Sequence, residues 1–274
     1  MIKRIIHISD LHVRNFQRLE EYSVQLTKLI ENCKEISSSY NKEEIRILIS
    51  GDLFHQKLTV SSEIFSFLAS FIRQMEEIAK VIVFAGNHDL IVNNMSRKDP
   101  LTGLFETAVF TNTYFLDYEL NYQSGTIIDD NVTWCLYSIF NDFIRPNIEE
   151  SKLENPTNKM IGLYHGVIVG SKLDNGSIME SGLDGDKFEG CDCVMAGDIH
   201  KRQALKRGGV PIVYPGSLIQ QSFGETVTQH GFCLWNIEDM SFEFIDLESD
   251  YSLYDFVIED FNDIDNNKER LINF

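Results

Sequence analysis

Five short polar segments of this chain carry side chains that bind divalent metals and move protons. They are Asp10-Leu11-His12, Gly51-Asp52, Gly86-Asn87-His88-Asp89, His165-Gly166 and Gly197-Asp198-Ile199-His200. Carboxylate, imidazole and amide oxygen together suit hard-to-intermediate divalent cations. His88 can give or take a proton near neutral pH, with Asp89 expected to orient its imidazole. Asp10 and His12 stand at i and i+2, a spacing that turns both side chains to one side of an extended chain, and Asp198 and His200 repeat it. Each segment alone has an ordinary explanation: a helix cap for Asp10, a turn for Gly51-Asp52, a hydrogen-bonded core histidine for His165. All five together, each directly after an apolar run, are not explained that way.

The apolar runs are the elements that must position these tips. Residues 2–9, 45–50 and 80–85 read as buried strands. Between them, residues 18–36 and 60–79 carry apolar side chains at helical spacing, such as Leu19, Tyr22, Leu26 and Leu29, then Ile64, Leu68, Phe71 and Met75. This βαβαβ alternation implies parallel strands with helical crossovers, whose polar tips would share one sheet edge. Residues 113–140 alternate aromatic and polar types and predict antiparallel strands with turns at Gly125 and Asp129-Asp130-Asn131. Further strands are expected near 160–165, 193–197, 211–214, 231–237 and 241–247. The tail from Tyr251 onward reads as a linker entering a short amphipathic helix or a further domain.

With 274 residues, 43% hydrophobic and only 5 prolines, the chain can bury a large core and is not broadly disordered. No apolar run is long enough to span a bilayer, and no signal-peptide pattern is present. Cys33, Cys135, Cys191, Cys193 and Cys233 sit mostly in apolar runs, which predicts reduced core thiols in a cytosolic setting. The net charge of −18, from 24 basic and 42 acidic residues, repels polyanions globally. Any nucleic-acid contact must therefore be local and assisted by bound metal. The densest basic group is Lys201, Arg202, Lys206 and Arg207; the first two, beside His200, are the candidates for gripping phosphates.

In this order, the motifs D-x-H, G-D, G-N-H-D, an isolated His and G-x-x-H resemble those of the calcineurin-like metallophosphoesterases. Gly51-Asp52-Leu53-Phe54-His55 and Tyr214-Pro215-Gly216-Ser217 are most similar to the double-strand-break repair nucleases, the SbcD-like branch with its phage relatives. The resemblance covers residues 2 to about 247. It implies an α/β fold, a four-layer α-β-β-α sandwich of two mixed sheets, with a nuclease domain over residues 1–248 and a linker or tail over 249–274. It also implies that Asp10, His12, Asp52 and His200 hold one metal, that Asp52, Asn87, His165 and Asp198 hold a second, and that Asp52 bridges them. The family usually has Gly-His-x-His where this chain has Gly197-Asp198-Ile199-His200. Aspartate is a competent oxygen ligand, and its extra negative charge is expected to shift metal preference.

The expected chemistry is two-metal hydrolysis of a phosphodiester, with two divalent ions about 3.5–4 Å apart. His88, positioned by Asp89, would be the general acid, and His55 would contact the phosphate or steer the strand. Mixed imidazole and carboxylate ligands suit manganese or iron better than magnesium alone, and the resemblance implies Mn²⁺. Phosphoprotein phosphatases of the superfamily resemble one another in an Arg soon after the Gly-Asp motif. Leu53-Phe54-His55-Gln56 has none, which favours diesters. The resemblance thus implies a DNA nuclease, a 3′-to-5′ exonuclease with endonuclease activity, partnered by an SbcC-type ATPase. A homodimer is also expected, through surplus apolar residues of the 60–79 helix (Phe65, Phe67) and Leu101–Phe110. Alternatives are a phosphodiesterase acting on RNA or small nucleotides and a non-catalytic scaffold for DNA ends. The expected location is the cytoplasm, nucleoid-associated, or the host cytoplasm if the chain is viral.

Overall fold

A computed structural model describes residues 1–91 and 97–254. Along the chain run β1 (Arg4–Ile8), α1 (Leu19–Ser37), β2 (Ile45–Ser50), α2 (Ser62–Ile78), β3 (Lys80–Phe84), α3 (Pro100–Thr107), β4 (Thr113–Phe115), α4 (Leu116–Glu119), β5 (Gly125–Asp129) and β6 (Val132–Tyr137). There follow α5 (Ile148–Glu154), β7 (Lys159–His165), β8 (Cys193–Gly197), β9 (Gln203–Arg207), β10 (Val210–Tyr214), β11 (Gly231–Asn236) and β12 (Ser241–Asp246). Among the described residues, twelve strands form two six-stranded mixed sheets, ordered β12-β11-β1-β2-β3-β4 and β5-β6-β7-β8-β10-β9.

Period-two alternation explains the layering. On β1, β2 and β3 both pleat faces are apolar, and successive residues go to different cores. Ile6, Ile8, Ile47, Ile49, Val81 and Val83 pack outward against Tyr22, Leu26, Leu68 and Met75 of α1 and α2. Ile5, Leu48, Ile82 and Phe84 face inward, against Trp134, Leu136, Ile161, Leu163 and Met195 of the second sheet. The second sheet's outer face is covered mostly by irregular chain, with α5 and a short 3₁₀ turn over Gly185–Phe188. Its core there includes Cys135, Tyr137, Met160, Tyr164 and Phe188. The expected sandwich is therefore present, with a thin fourth layer.

A buried ionic knot fastens the two sheets at the edge away from the polar tips. Arg46 of β2 donates to both carboxylate oxygens of Asp129 on β5, at 2.7 and 2.8 Å, and Lys80 of β3 adds a third contact at 3.0 Å. All five cysteines are buried and free, as expected of core thiols.

Two readings of the middle region need correction. β4 lies parallel to β3, and β6 lies parallel to β7; only β5 and β6 form the expected antiparallel hairpin. Aromatic-polar alternation reports a half-buried strand but not the direction of its neighbour. Lys206 and Arg207 lie on β9, an edge strand paired antiparallel to β10. Phe65 and Phe67 are half-buried against the α1–α2 core, with the Phe65 ring 5.7 Å from that of Phe54. Residues 247–253 do not run free: Leu247 enters the core, and Leu253 exchanges hydrogen bonds with the Gln220 side chain. The helix or domain expected further along falls outside the described residues. No described helix is long and apolar enough to cross a membrane.

Candidate metal centre

The parallel strands β1 and β2 stop together, and their pairing continues into the loops that carry the ligands. His12 N–H donates to the Asp52 carbonyl at 2.8 Å, Val13 N–H to Leu53 at 2.9 Å, and Asp10 N–H to Gly51 at 3.3 Å. The ends of β7 and β8 arrive from the other sheet. His165 Nδ1 lies 2.7 Å from the Ser50 carbonyl, and the Asp198 N–H donates to both carboxylate oxygens of Asp10 at 3.2 Å. All seven predicted ligands therefore converge on one edge of the sandwich.

The route to convergence differs from the one expected. Asp10, His12 and Asp52 have φ of 53°, 47° and 54°, and Asp198 has φ 92°, so these residues turn in the left-handed region rather than running extended. Such backbone is uncommon for non-glycine residues and clusters at functional sites. Close backbone approach supports it. A Cβ on Gly197 would meet the Ser50 carbonyl oxygen at 2.2 Å and His165 Nδ1 at 2.6 Å. A Cβ on Gly86 would meet Asp52 Oδ1 at 2.2 Å. Only glycine lets these tips touch.

Two half-sites share the Asp52 carboxylate. Oδ2 of Asp52 is 3.3 Å from His12 Nε2, and Oδ1 is 3.4 Å from His165 Nε2. Beside the first, His12 Nε2 and His200 Nε2 face each other at 3.0 Å, with Asp10 Oδ1 3.8 Å from His12 Nε2. Beside the second, Asp198 Oδ1 lies 3.9 Å from His165 Nε2 and accepts from Asn87 Nδ2 at 2.7 Å. Asp10, His12 and His200 thus form one possible ligand group, and Asp10, Asp52 and His165 another.

The donor atoms fit divalent cations. A carbonyl oxygen only accepts, so His165 must carry its proton on Nδ1; its Nε2 is buried with no hydrogen-bond partner among the described residues. His200 Nδ1 donates to Glu225 Oε1 at 2.8 Å, which likewise turns Nε2 toward the cluster. Electrostatics point the same way. Burial pushes the Asp10 carboxyl up to about 6. Burial would also raise Asp52, but His165 and His12 hold it well below the usual carboxylate range. Burial lowers all three imidazoles and leaves His12 well below its ordinary value, yet Asp52, Asp10 and Asp198 hold His165 well above it, and Glu225 with Asp10 lifts His200 to about 9. The buried carboxylates thus favour positive charge beside His165 and His200, of the kind that bound cations would supply.

His88 stands at the open side, its ring 4.7 Å from that of His12 and stacked 5.4 Å from that of His55. Its orientation corrects an expectation: His88 Nδ1 donates to the His55 carbonyl at 2.9 Å, not to Asp89. The Asp89 carboxylate instead accepts the Phe54 and Gly86 N–H groups, each at 3.0 Å, and so braces the loops that carry Asp52 and Asn87. Burial and the nearby Asp52 push that carboxyl up to about 8. His55 contributes its carbonyl to His88, while burial and Arg14 lower its imidazole to about 4. His12, His55 and His88 also bring their ring nitrogens together.

Of the two basic candidates, Arg202 is engaged elsewhere. Its guanidinium donates to the Gln229 carbonyl, pairs with Asp246 and lies 5.2 Å from the Phe244 ring centroid. Lys201 lines a cavity beside His200 and has no ion-pair partner among the described residues. Sequence reasoning missed Glu225. Glu225 Oε2 accepts the Gln221 N–H at 2.7 Å, and the loop is pinned by Gln220 Nε2 donating to the Glu225 carbonyl at 3.1 Å. The run Ser222-Phe223-Gly224-Glu225 follows Tyr214-Pro215-Gly216-Ser217 closely but carries no i, i+2 ligand pattern, so only the fold reveals its partner.

Comparison with known proteins agrees with this geometry. This chain is similar to Uncharacterized protein R555 of Acanthamoeba polyphaga mimivirus, 35% identical over 257 residues, covering 91% of this chain and 18% of that protein. It is also similar to Putative phosphoesterase 244L of Invertebrate iridescent virus 6, 27% identical over 229 residues, covering 81% and 72% of the two chains. The chain thus spans 18% of the length of the mimivirus relative. Among solved structures, TT1561 of Thermus thermophilus superposes with TM-score 0.49 at 10% identity, over 89% of this chain and 98% of that one. An archaeal phosphodiesterase gives TM-score 0.39 at 13% identity, over 89% and 99%. The model of the Calcineurin-like phosphoesterase family matches residues 3–202, which include every candidate ligand from Asp10 to His200, and the chain belongs to that family.

Proposed function

We propose that this protein is a two-metal phosphodiesterase that cleaves DNA, working as a 3′-to-5′ exonuclease with endonuclease activity. The observation that carries the hydrolytic reading is the shared Asp52 carboxylate, one oxygen toward His12 and the other toward His165, with unpartnered imidazole nitrogen beside it. Asp10, His12, Asp52 and His200 would hold one cation, and Asp52, Asn87, His165 and Asp198 the other. Bound there, such a pair supplies a nucleophile from water at neutral pH and draws charge from the phosphoryl oxygens. Mixed nitrogen and oxygen donors favour Mn²⁺ over Mg²⁺.

The chain's own residues supply the rest. His88, protonated on both ring nitrogens, gives the Nε2 proton to the departing sugar oxygen as the P–O bond breaks. The neutral Nδ1–H tautomer left behind is the one the His55 carbonyl stabilises. Asp89 keeps the Asp52 and Asn87 loops in register through its two backbone donors. The preference for diesters rests on Leu53-Phe54-His55-Gln56, in which no arginine follows the Gly-Asp motif. An SbcC-type ATPase partner and a homodimer belong to the same proposal, and the viral relatives support action in the host cytoplasm. The test is hydrolysis of end-labelled single- and double-stranded DNA with Mn²⁺, Mg²⁺ and chelator. A metal-dependent ladder from the 3′ end supports the proposal, and no release with any metal rejects it. Cleavage of small nucleotide diesters but not DNA would select the alternative, a phosphodiesterase acting on small nucleotides.

A further inference from the structure

Two residues after His12 stands Arg14, which the hydrolytic chemistry does not use. Its backbone is fixed beside the catalytic edge, because the pairing of β1 with β2 runs on past the ligands. His55 N–H donates to the Val13 carbonyl at 3.2 Å, and Asn15 N–H donates to Gln56 Oε1 at 3.1 Å. Arg14 is thereby held next to His55. Its charge acts on the His55 imidazole more strongly than does His88, whose ring is stacked 5.4 Å away. Outward from His12, the rings of His88 and His55 stand at 4.7 and 5.5 Å, and Arg14 adjoins the second.

The guanidinium is oriented but incomplete. Nη2 donates to the Gln221 carbonyl at 3.0 Å and to Gln221 Oε1 at 3.2 Å. Gln221 is itself buried and held, its N–H by Glu225 and its Nε2 by the Leu11 carbonyl at 3.3 Å. Both acceptors of Arg14 are neutral. Arg18, Arg46, Arg145 and Arg202 each pair with a carboxylate, whereas Arg14 pairs with none among the described residues. Its Nε is buried without a hydrogen-bond partner, the one arginine nitrogen so placed among the described residues. A guanidinium cannot shed its proton, so this fork lacks an anion. Arg14 is only partly buried, and an anion can reach it. Phosphate oxygens match such a fork, accepting two of its N–H groups at once. The scissile phosphate must sit between the ligand cluster and His88, so Arg14, beyond His55, meets the next phosphate along.

We propose that Arg14 binds the phosphate adjoining the scissile one, on the side of the departing sugar oxygen. The inference rests on the phosphodiesterase reading above and adds its substrate class: a nucleic-acid strand that continues past the cleaved bond, rather than a cyclic or single-phosphate diester.

The experiment compares wild type with Arg14→Gln and Arg14→Lys in Mn²⁺. The substrates are the oligonucleotide (dT)8 and methyl p-nitrophenyl phosphate, a diester with no second phosphate. Arg14→Gln should raise KM for (dT)8 by about ten- to a hundredfold, the range of a charge-assisted hydrogen bond, and flatten its salt dependence by roughly one phosphate contact. Its kcat, small-diester rate and Mn²⁺ affinity should match wild type. Arg14→Lys should keep the salt slope but recover only part of KM, because it restores the charge without the fork. Wild type alone should show a KM about tenfold lower for pTpTp than for TpT, a comparison that needs no variant. Equal KM for those two, or unaltered (dT)8 KM and salt slope in Arg14→Gln, overturns the proposal and leaves the phosphodiesterase standing. So does an equal loss on (dT)8 and the small diester with weakened Mn²⁺ binding, which would make Arg14 a structural support of the metal centre. Failure of wild type to hydrolyse any of these substrates overturns the phosphodiesterase reading itself.

Discussion

Replacing Glu225 with glutamine removes one negative charge and keeps the shape and an acceptor, so it isolates what the carboxylate does for His200. In the structure Oε1 lies 2.8 Å from His200 Nδ1, and the Glu225 side chain is 9% exposed, so solvent screens the contact weakly. A hydrogen bond to a charged group contributes about 1.5–3 kcal/mol, against about 1 kcal/mol for a neutral one. Glu225→Gln should therefore weaken metal binding by about 1–2 kcal/mol, or roughly five- to thirtyfold in Kd, overlapping the roughly 10–100-fold found for groups that orient metal-ligating histidines. Isothermal titration with Mn²⁺ reads both sites, and metal-free thermal unfolding serves as the control for folding. Glu225→Ala should do more, because it also releases the Gln221 N–H that fixes the loop. Ser222→Ala, which loses only a 3.3 Å contact to the same carboxylate, should change little. If Glu225→Gln binds Mn²⁺ as tightly as wild type at both sites, the carboxylate does not tune His200, and the loop serves only to close the cavity.

Four further outcomes follow from the same geometry. His88→Ala should cut turnover by about 10²–10⁴-fold with both metals still bound in titration; normal turnover would remove His88 as the general acid. Gly197→Ala places a Cβ 2.2 Å from the Ser50 carbonyl and should lower stability by about 1–3 kcal/mol in urea unfolding while weakening Mn²⁺ binding. Asp129→Asn leaves buried Arg46 without its carboxylate and should cost about 3–5 kcal/mol. The partners Arg46 and Lys80 hold Asp129 down to about 2 despite burial, so its stabilisation is complete above pH 4 and is lost as pH falls toward 2; urea titrations across that window should show a loss that Asp129→Asn lacks. Asp198→His, which installs the residue usual in the family, should move the Mn²⁺-to-Zn²⁺ affinity ratio about tenfold toward zinc, and an unchanged ratio would show that Asp198 is not a ligand.

Strands buried on both faces announce themselves by composition, and so β1, β2, β3, β7 and β8, with the polar tips that follow them, were legible from the residues alone. β4 was misread because three residues, Thr113–Phe115, carry no signal of partner direction. The role of Asp89 was misread because adjacency in sequence suggested a side-chain contact with His88. The carboxylate instead turns back onto the Phe54 and Gly86 amides. Glu225 was invisible for the opposite reason: 25 residues separate it from His200, and its loop has no periodic pattern. Long-range second partners are written in topology, not in local spacing.

The i, i+2 spacing of Asp10 and His12 predicts that their side chains converge, but by a different backbone geometry from the one found, and the difference bears on how the site is held. Left-handed backbone at Asp10, His12, Asp52 and Asp198 costs on the order of 1–3 kcal/mol per residue. Three carboxylates brought around them repel one another, and burial compounds that cost. A site that is both strained and negatively charged persists only if its surroundings hold it from several directions. They do so through the continued β1–β2 pairing, the Asp198 amide on Asp10, the Asp89 brace and the Glu225–His200 bond. The same contacts hold the imidazole–carboxylate pairs of the cluster 3.3–3.9 Å apart. Acidic character, which argues against a polyanion partner for the chain as a whole, would thus make any phosphate binding at this edge depend on metal ions.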